Sequence, residues 1–398
     1  MTVTMISGAT GSQNILSSQK VVDMSDRIYL LEPQAAPLYV LVSRLNKRVA
    51  INTTFSWLED ILNPSWTTLA ASAVSGTSGL NTVMTASSAI FNTWDLIKIP
   101  STGEIGLVCA VTSTAITVVR CYYASYSAAS AAAAADVVII GSAFAEGSLN
   151  TALSTLSTKV TTVSNYLQIF RKSVEITKTM ANTELYGGAD RPYQRKKKGI
   201  ELMRDLERAF LYGQPLEDTS TSRGDATLTH ARRTTGGIDY FISTNETTSV
   251  GAMTESTFEG FLRSVFRYGS NTRYLFCAPL LLSVISLWAQ GKLQTFSKDK
   301  TYGIAITQYL SPHGTVNLVK ELMLENAGGV SSTSYYGGYG FAIELEDCVY
   351  RYLQNRDVQF ETEIQHPGDD SYKDQYVCEV GMEFHNEQKH GMISGVTS

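Results

Sequence analysis

Hydrophobic and polar positions repeat along the chain with two periods, and the longer period predicts two clear helices. The first covers Asp190–Gly213, with Asp190 as its cap and Gly213 as its stop. The second covers Ser256–Tyr268, where Ser256 and Glu259 match a capping box. Apolar residues recur every three or four positions at Ile200, Met203, Leu206 and Phe210, and at Phe258, Phe261, Leu262, Val265 and Phe266. Each segment is therefore predicted to bury one helix face.

After the second helix, the pattern alternates between strands and a helix. It predicts a strand over Arg273–Cys277, a helix over Leu280–Gln290, and strands over Ile304–Tyr309 and Thr315–Leu324. This alternation predicts a compact mixed domain over residues 235–340.

Period-two patterning dominates the C-terminal part of the chain. Apolar residues occupy every second position of two runs, Val358–Ile364 and Tyr376–Phe384, which His366–Tyr372 separates. Such alternation is typical of a sheet with one face in the core and one in water. The carboxylates between the apolar positions are therefore expected on the solvent face.

The pattern of residues 51–180 predicts a long two-stranded extension of the chain. A strand over Thr53–Ile61 precedes a stretch rich in Ser, Thr and Ala, and Thr158–Lys178 is expected to return beside that strand. Strand-like runs between them predict a small antiparallel β module at about 88–145. These runs are Trp94–Ile99, Glu104–Ala110, Ala115–Cys121 and Val137–Ile140.

Charge is scarce, and the deficit is local. The 398 residues carry a net charge of −5, and 17% of them are charged, against about 25% in an ordinary soluble domain. Residues 51–165 hold only nine of these charges. The near-neutral balance argues against a free nucleic-acid binder. The 21 tyrosines favour surfaces that are buried against a partner yet still form hydrogen bonds.

No sequence motif for catalysis, metal binding or membrane insertion is present. The chain lacks a P-loop, a dinucleotide fingerprint and an H-E-x-x-H pair. Its longest apolar run, Tyr274–Ala289, is too short to cross a bilayer. The five cysteines form no C-x-x-C pair and no secretory signal precedes them, so buried free thiols in a reducing cytosol are expected.

A dense basic cluster lies in the first turns of the first predicted helix. It comprises Arg191, Arg195, Lys196, Lys197 and Lys198. Positive charge at a helix N-terminus opposes the helix dipole, so a compensating interaction is expected. Two interpretations remain open, a solvated face paired with acidic residues of the same helix, and a contact with phosphate or an acidic partner surface.

Short phrases spread along the chain resemble one large group of phage proteins. They are Ile28–Pro33, Ala36–Leu38, Phe55–Asp60, Thr235–Ile238 and Leu275–Pro279. In these phrases and in the order of its predicted parts, the sequence resembles the major capsid proteins of tailed double-stranded DNA bacteriophages. The resemblance implies an α+β fold of the Hong Kong 97 type.

The resemblance also implies an assignment of parts. Residues 1–50 would form an N-terminal arm, and residues 51–180 an extended loop that carries the inserted β module. Residues 181–234 would begin a peripheral domain with a long spine helix. Residues 235–340 would form an axial domain, and residues 341–398 would supply the closing strands of the peripheral domain.

The function implied by the resemblance is mechanical rather than enzymatic. Copies of the chain would form hexamers and pentamers that close an icosahedral head shell around packaged double-stranded DNA. The chain would assemble in the host cytoplasm and reside in the virion. Other expected partners are a portal protein, a scaffold and a cement protein. No contact with a membrane is expected. The alternatives are a bacterial nanocompartment shell of the same fold, and a surface adhesin or carbohydrate-binding protein.

The expected contact residues follow from the same resemblance, and no catalytic residue, metal or cofactor is expected. Contacts with DNA or scaffold on the lumen side are expected at Arg191, Arg195, Lys196, Lys197 and Lys198. Contacts between subunits are expected at Tyr29, Tyr39, Trp57, Tyr122, Tyr123, Tyr335, Tyr336 and Tyr339.

Overall fold

The chain folds into two compact units. The computed structural model describes residues 36–72, 81–123, 131–148, 156–184, 189–219, 230–288, 293–294, 307–325 and 338–397. The larger unit comprises Met1–Trp57 and Ser164–Ser398, and the smaller unit comprises Leu58–Val163. Helices and mixed sheets make up the described residues, so the predicted α+β class is confirmed.

Helices of the described residues all lie in the larger unit. They are α1 (Pro37–Leu45), α2 (Lys178–Ala181), α3 (Asp190–Tyr212), α4 (Ile238–Phe241), α5 (Glu255–Val265) and α6 (Pro279–Trp288). Both predicted caps are wrong by one or two residues. Ala189 precedes α3 without a side-chain cap, and Asp190 is its first helical residue. Thr254, not Ser256, caps α5, because its hydroxyl accepts the Thr257 N–H at 3.3 Å.

The strands of the described residues number 22 and are named in chain order. They are β1 (Lys47–Ala50), β2 (Thr54–Glu59), β3 (Trp66–Thr68), β4 (Asn81–Thr85), β5 (Asp95–Ile99), β6 (Glu104–Thr112), β7 (Ala115–Val119), β8 (Asp136–Ser142), β9 (Thr161–Tyr166), β10 (Gln168–Thr177), β11 (Leu216–Asp218), β12 (Arg232–Thr234), β13 (Glu246–Thr247), β14 (Thr272–Cys277), β15 (Leu293–Gln294), β16 (Thr307–Ser311), β17 (Gly314–Lys320), β18 (Gly340–Ile343), β19 (Cys348–Leu353), β20 (Gln359–Glu361), β21 (Ser371–Phe384) and β22 (Gly391–Ile393).

Two large sheets lie in the larger unit, beside the two-stranded pair β11-β12. One has the order β1-β19-β21-β10, with β20 also paired to β21, and the other has the order β13-β22-β18-β14-β17-β16-β15. A shared core joins them, in which Phe276 and Phe341 of the second sheet pack with Tyr350 and Met382 of the first and with Phe210 of α3. The second sheet contains β14, β16 and β17, which overlap three strands predicted from the sequence.

Sheet pairing crosses the boundaries that the resemblance implies. Half of the expected returning strand, β9, does pair with β2, but the other half, β10, pairs with β21 across ten residue positions. Strands β18 and β22 come from the closing segment, yet both lie in the seven-stranded sheet. The arm, loop and domains that the resemblance implies remain predictions. Each of the two large sheets, however, contains strands from more than one of these parts.

The predicted solvent face of the closing strand is wrong. Every residue of Val377–Phe384 on β21 is buried. The carboxylates there are paired, because Arg356 Nε lies 3.1 Å from Glu379 and Arg351 forms an ion pair with Glu383. The alternating sequence pattern shows which positions of β21 carry charge. It does not show that the guanidinium groups of Arg351 and Arg356 cover these carboxylates.

The smaller unit contains a six-stranded β-barrel. Its strand order is β3-β8-β5-β6-β7-β4, and a bridge between Leu69 and Ala86 joins the two outer strands. Backbone hydrogen bonds from Ala70 to Thr85 at 2.9 Å and from Ser87 to Thr68 at 2.8 Å complete the closure. The β module is therefore closed, and it begins before the predicted residue 88, because β3 and β4 belong to it. Closure removes the open edges at which sheets from different chains pair.

A buried ion pair lies at one side of the barrel. Arg120 Nε donates to Glu104 Oε1 at 2.8 Å, and Arg120 Nη2 donates to Glu104 Oε2 at 2.5 Å. The Cys121 N–H also donates to Glu104 at 3.1 Å. Both charged side chains are almost fully buried. Two of the nine charges in this region thus neutralise each other inside the fold.

All five cysteines are free thiols, as predicted, and four of them are buried. Cys109 is the exception to the burial expectation, since it is half-buried on β6. Burial raises the pKa of Cys277 and of Cys378 to about 12, so both remain neutral thiols. No helix among the described residues combines the length and the hydropathy that crossing a membrane requires.

Candidate functional site

The basic cluster lies on the first three turns of α3, which packs along the five-stranded sheet. With 23 residues, α3 is about 35 Å long. Its fully buried apolar side chains are Leu202, Leu206, Phe210 and Leu211. The predicted stripe is thus correct at two positions, while Ile200 and Met203 are only half-buried. The apolar face fixes the helix from Leu202 onward and leaves its basic start at the edge of the sheet.

Two residues of the basic cluster bind a carboxylate of the same chain. Arg191 donates from Nε and Nη2 to Asp374 at 2.9 and 2.7 Å, and Arg195 Nε donates to it at 2.9 Å. Asp374 lies on β21, and its side chain is 1% exposed. The Glu363 N–H donates a further bond of 3.1 Å to Asp374. Asp374 is therefore the compensating charge for the two arginines.

Electrostatic attraction and stacking on aromatic rings stabilise the contact of Arg191 and Arg195 with Asp374. The hydrogen bonds from Arg191, then those from Arg195 and the Glu363 N–H, keep the pKa of Asp374 well below its usual range, although burial opposes them. The guanidinium of Arg191 lies over Tyr372 and that of Arg195 over Phe360, at 4.6 and 5.0 Å from the ring centres. The side chains of Arg191 and Arg195 are therefore engaged in contacts within the chain.

The three lysines of the cluster remain at the surface. Lys198 Nζ is 2.6 Å from Glu201, one turn further along α3. Lys196 and Lys197 are exposed, and neither takes part in the ion pairs that the described residues form. Lys198 pairs within its own helix, as one interpretation of the sequence expects. The two arginines pair instead with Asp374 of β21, which neither interpretation names, and a partner contact of Lys196 and Lys197 stays a prediction.

The residues predicted to form contacts between subunits differ in how far they are exposed. Tyr39 and Trp57 are buried by the larger unit itself, at 8% and 6% exposure. Tyr39 packs on Phe210 and Tyr350, and Trp57 packs on Phe55 and Phe241. Their aromatic surface is therefore used inside one chain.

Surface remains available at a tyrosine pair of the smaller unit. Tyr122 and Tyr123 are 48% and 50% exposed and form an edge-to-face pair with ring centres 5.6 Å apart. Tyr339 is half-buried beside Phe341. Tyr29, Tyr335 and Tyr336 lie outside the described residues.

Sequence reasoning missed Asp374, the residue that organises the basic cluster. It lies 179 positions from Arg195, so no local pattern links the two. One signal was present, because Asp374 lies two residues before Tyr376, in step with the alternating apolar positions that begin there. A carboxylate at the start of a buried strand needs a partner, and the basic cluster could supply it.

A sequence model of the SU10 major capsid protein family matches residues 5–397. A curated major capsid protein of Escherichia phage Phieco32 is 38% identical over 89 residues, which are 19% of this chain and 25% of that protein. The aligned region thus spans about a quarter of that relative.

Solved shells also align with the chain. The capsid of a native GTA particle is 8% identical, with a TM-score of 0.48 and 97% coverage of both chains. The SrpI encapsulin complex from Synechococcus elongatus PCC 7942 is 10% identical, with a TM-score of 0.42 and coverage of 60% of this chain and 78% of that chain. Both scores are below 0.5, so the family assignment rests on the sequence match. The match over nearly the whole chain confirms the predicted recognition: the chain belongs to the SU10 major capsid protein family of phages.

Proposed function

We propose that this protein assembles into hexamers and pentamers, in the Hong Kong 97-type arrangement, and that these close the icosahedral shell around the packaged DNA of a tailed phage. The observation that carries the proposal is the family match over residues 5–397. Partners beyond other copies of the chain, namely a portal protein, a scaffold and a cement protein, belong to the same proposal.

Exposed aliphatic side chains in the smaller unit support a role in self-association. Leu58, Ile61 and Leu62 are 71%, 61% and 94% exposed. They adjoin a segment of similar character, which contains Leu156 and Val160 and is held to theirs by a 3.1 Å bond from Asn63 Nδ2 to the Leu156 carbonyl. Burying one such side chain contributes about 2 kcal/mol, so a neighbouring copy that covers them would gain stability.

The surface lysines support contact with DNA or a scaffold inside the shell. Lys196 and Lys197 are exposed, whereas Arg191 and Arg195 of the same helix are already bound to Asp374. Two lysines give a modest positive charge, which binds phosphate without sequence preference. Such weak binding suits DNA that must slide while it is packaged.

Assembly of the purified full-length chain tests the proposal. Wild-type protein is expected to form closed shells in negative-stain images. A Leu62→Asp variant is expected to keep its circular dichroism spectrum and to shift towards free subunits in sedimentation velocity, whereas Thr112→Asp, at an exposed barrel position, is expected to assemble normally. Wild-type protein that stays monomeric under assembly conditions would refute the shell function.

The lysine contact is tested in particles from infected cells. The double variant Lys196→Glu and Lys197→Glu is expected to form shells with less DNA per particle or less scaffold per precursor shell. Lys98→Glu, an exposed lysine on β5 of the smaller unit, is the matched control. Unchanged DNA and scaffold content in the double variant would remove this part of the proposal. Particles filled with an enzyme cargo in place of DNA would favour the nanocompartment alternative.

A further inference from the structure

The outer surface of the barrel carries a row of side chains that crosses four strands. Trp66 on β3 is paired with Val138 on β8, and Val138 is also paired with Lys98 on β5. Lys98 is in turn paired with Ile105 on β6. Residues that are paired across strands point to the same side of a sheet. Val137, which alternates with Val138, lies in the barrel core, so the row lies on the outer surface.

This row belongs to an apolar patch. Trp66 is 46% exposed, and Ile140, two positions beyond Val138 on β8, is 54% exposed. Val138 and Ile105 are half-buried. At the far end of the row, the Tyr122 N–H donates to the Ile105 carbonyl at 2.9 Å, so the exposed tyrosine pair adjoins the patch. A contiguous apolar patch of this kind is typical of an interaction surface.

Two opposite charges accompany the patch. The six barrel strands carry four charged residues, of which Asp95 and Glu104 are buried and Lys98 and Asp136 are exposed. Asp136 lies two positions before Val138, so it shares the outer face with Lys98 at a diagonal separation of about 7 Å. Neither Lys98 nor Asp136 forms an ion pair or a side-chain hydrogen bond with another described residue. Both charges therefore remain available to a partner.

Closure of the barrel restricts how a partner can bind here. The bridge between Leu69 and Ala86 joins the outer strands, so the described barrel strands offer no open edge to an added strand. A partner must pack on the side chains of the patch. It then needs an apolar surface with a carboxylate opposite Lys98 and a cation opposite Asp136. The patch itself has this composition and this spacing of charges.

We propose that two copies of the chain bind each other through this barrel face, around a two-fold axis. In such a contact the same surface is used on both sides. Lys98 therefore lies against Asp136 of the partner subunit, and the reciprocal pair forms across the axis. Trp66 and Ile140 are covered at the same time. This contact rests on the proposed shell function, since it joins copies within one shell.

The two charges give the contact its orientation. A charge that is buried in an apolar contact without a partner costs free energy, whereas complementary charges favour one arrangement of two surfaces over the others. Rotation of one barrel away from the two-fold arrangement leaves Lys98 and Asp136 against apolar side chains. The pair therefore selects a second copy of this face over an apolar surface that carries no charge.

Cross-linking of isotopically mixed shells tests the contact. Light and isotopically heavy full-length subunits are mixed before assembly, and a carbodiimide then joins neighbouring amines and carboxylates without a spacer. Cross-links between Lys98 and Asp136 are expected to include species with one light and one heavy peptide, which form only between different copies. Cross-links within one copy contain two light or two heavy peptides and are the internal reference.

Oxidative footprinting of Trp66, read by mass spectrometry, measures whether a partner covers the patch. Trp66 is expected to be oxidised more slowly in shells than in free subunits. Asp136→Lys places two cations against each other and is expected to remove this protection, and the addition of Lys98→Glu is expected to restore it. Glu146→Lys, at an exposed carboxylate after β8, is the matched control and should keep the protection.

Shells are expected to form in all of these variants, because the exposed Leu58, Ile61 and Leu62 are unchanged. Lys98→Glu alone is expected to remove the protection of Trp66 while its particles keep their normal DNA content, because Lys196 and Lys197 are also unchanged.

Either of two results would overturn the proposed contact, and both are measured on the wild type. One is a set of shells in which no cross-link between Lys98 and Asp136 joins a light peptide to a heavy one. The other is equal oxidation of Trp66 in shells and in free subunits. Failure of the shell function itself is distinguishable, because negative-stain images would then show no shells.

Discussion

At the residue scale, carboxylates of the larger unit are matched with donors that come from other parts of the chain. Asp374 binds two arginines of α3, and Glu383 binds Arg351 and lies 2.7 Å from His385 Nε2. Removing one partner of such a set leaves a buried charge without compensation, which costs more than the pair contributes. These residues therefore determine where the long helix and the closing sheet meet.

Substitution of Asp374 tests this arrangement. Asp374→Asn is expected to lower the free energy of unfolding by about 2 kcal/mol, less than for a fully buried pair, since both arginines are partly exposed to water. Because the pKa of folded Asp374 is depressed, its contribution is present above pH 3.8, its ordinary value, and is lost as pH falls through the folded pKa. Denaturant titrations of both proteins should therefore converge at low pH.

A matched substitution controls for general surface effects. Glu363 is 61% exposed and 3.8 Å from Arg191, so Glu363→Gln should change stability by about 0.5 kcal/mol or less. Equal losses in the Asp374 and Glu363 variants would show that burial of the carboxylate is not the source of the effect.

At the element scale, local periodicity located helices well and their ends less well. Both long helices were predicted within three residues, because their apolar repeats are visible in sequence. The caps were misplaced because Thr254 and Ser256 are both good capping residues two positions apart, and the choice depends on where the chain turns into the helix. Likewise, the local pattern on β21 could not show that Arg351 and Arg356 cover its carboxylates.

The corrected cap of α5 gives a direct comparison. Thr254→Ala is expected to cost about 1 kcal/mol of unfolding free energy, because it leaves the Thr257 N–H without its acceptor. Ser256→Ala, at the position that the sequence favoured, should change stability by no more than about 0.5 kcal/mol. Thermal unfolding followed by circular dichroism measures both, and a larger loss for Ser256 would restore the original assignment.

At the scale of the whole molecule, the chain carries separate apolar cores. The barrel core contains residues such as Val108, Ile116 and Val137, and none of its members belongs to the clusters of the larger unit. The resemblance to capsid proteins, confirmed by the family match, came from phrases spread over the chain. The closure of the barrel and the sharing of strands between expected domains depend on long-range pairing, which those phrases do not encode.

Separate cores predict separate unfolding of the two units. Glu104→Gln leaves Arg120 buried without a counter-charge and is expected to cost about 3 kcal/mol. In calorimetry, the barrel transition should then fall by roughly 15 °C, while the transition of the larger unit stays in place. Glu146→Gln, at an exposed carboxylate of the smaller unit after β8, should move neither. A single transition that shifts as a whole would show that the units unfold together.

The paired strands β2 and β9 have a consequence for how such proteins can change over time. The chain leaves the larger unit on one of these strands and returns on the other, and the two are hydrogen-bonded neighbours. Departure and return therefore lie about 5 Å apart. A gene could shorten, exchange or enlarge the barrel while the two flanking strands keep their register, so the barrel could change in sequence and size without a change in the rest of the chain.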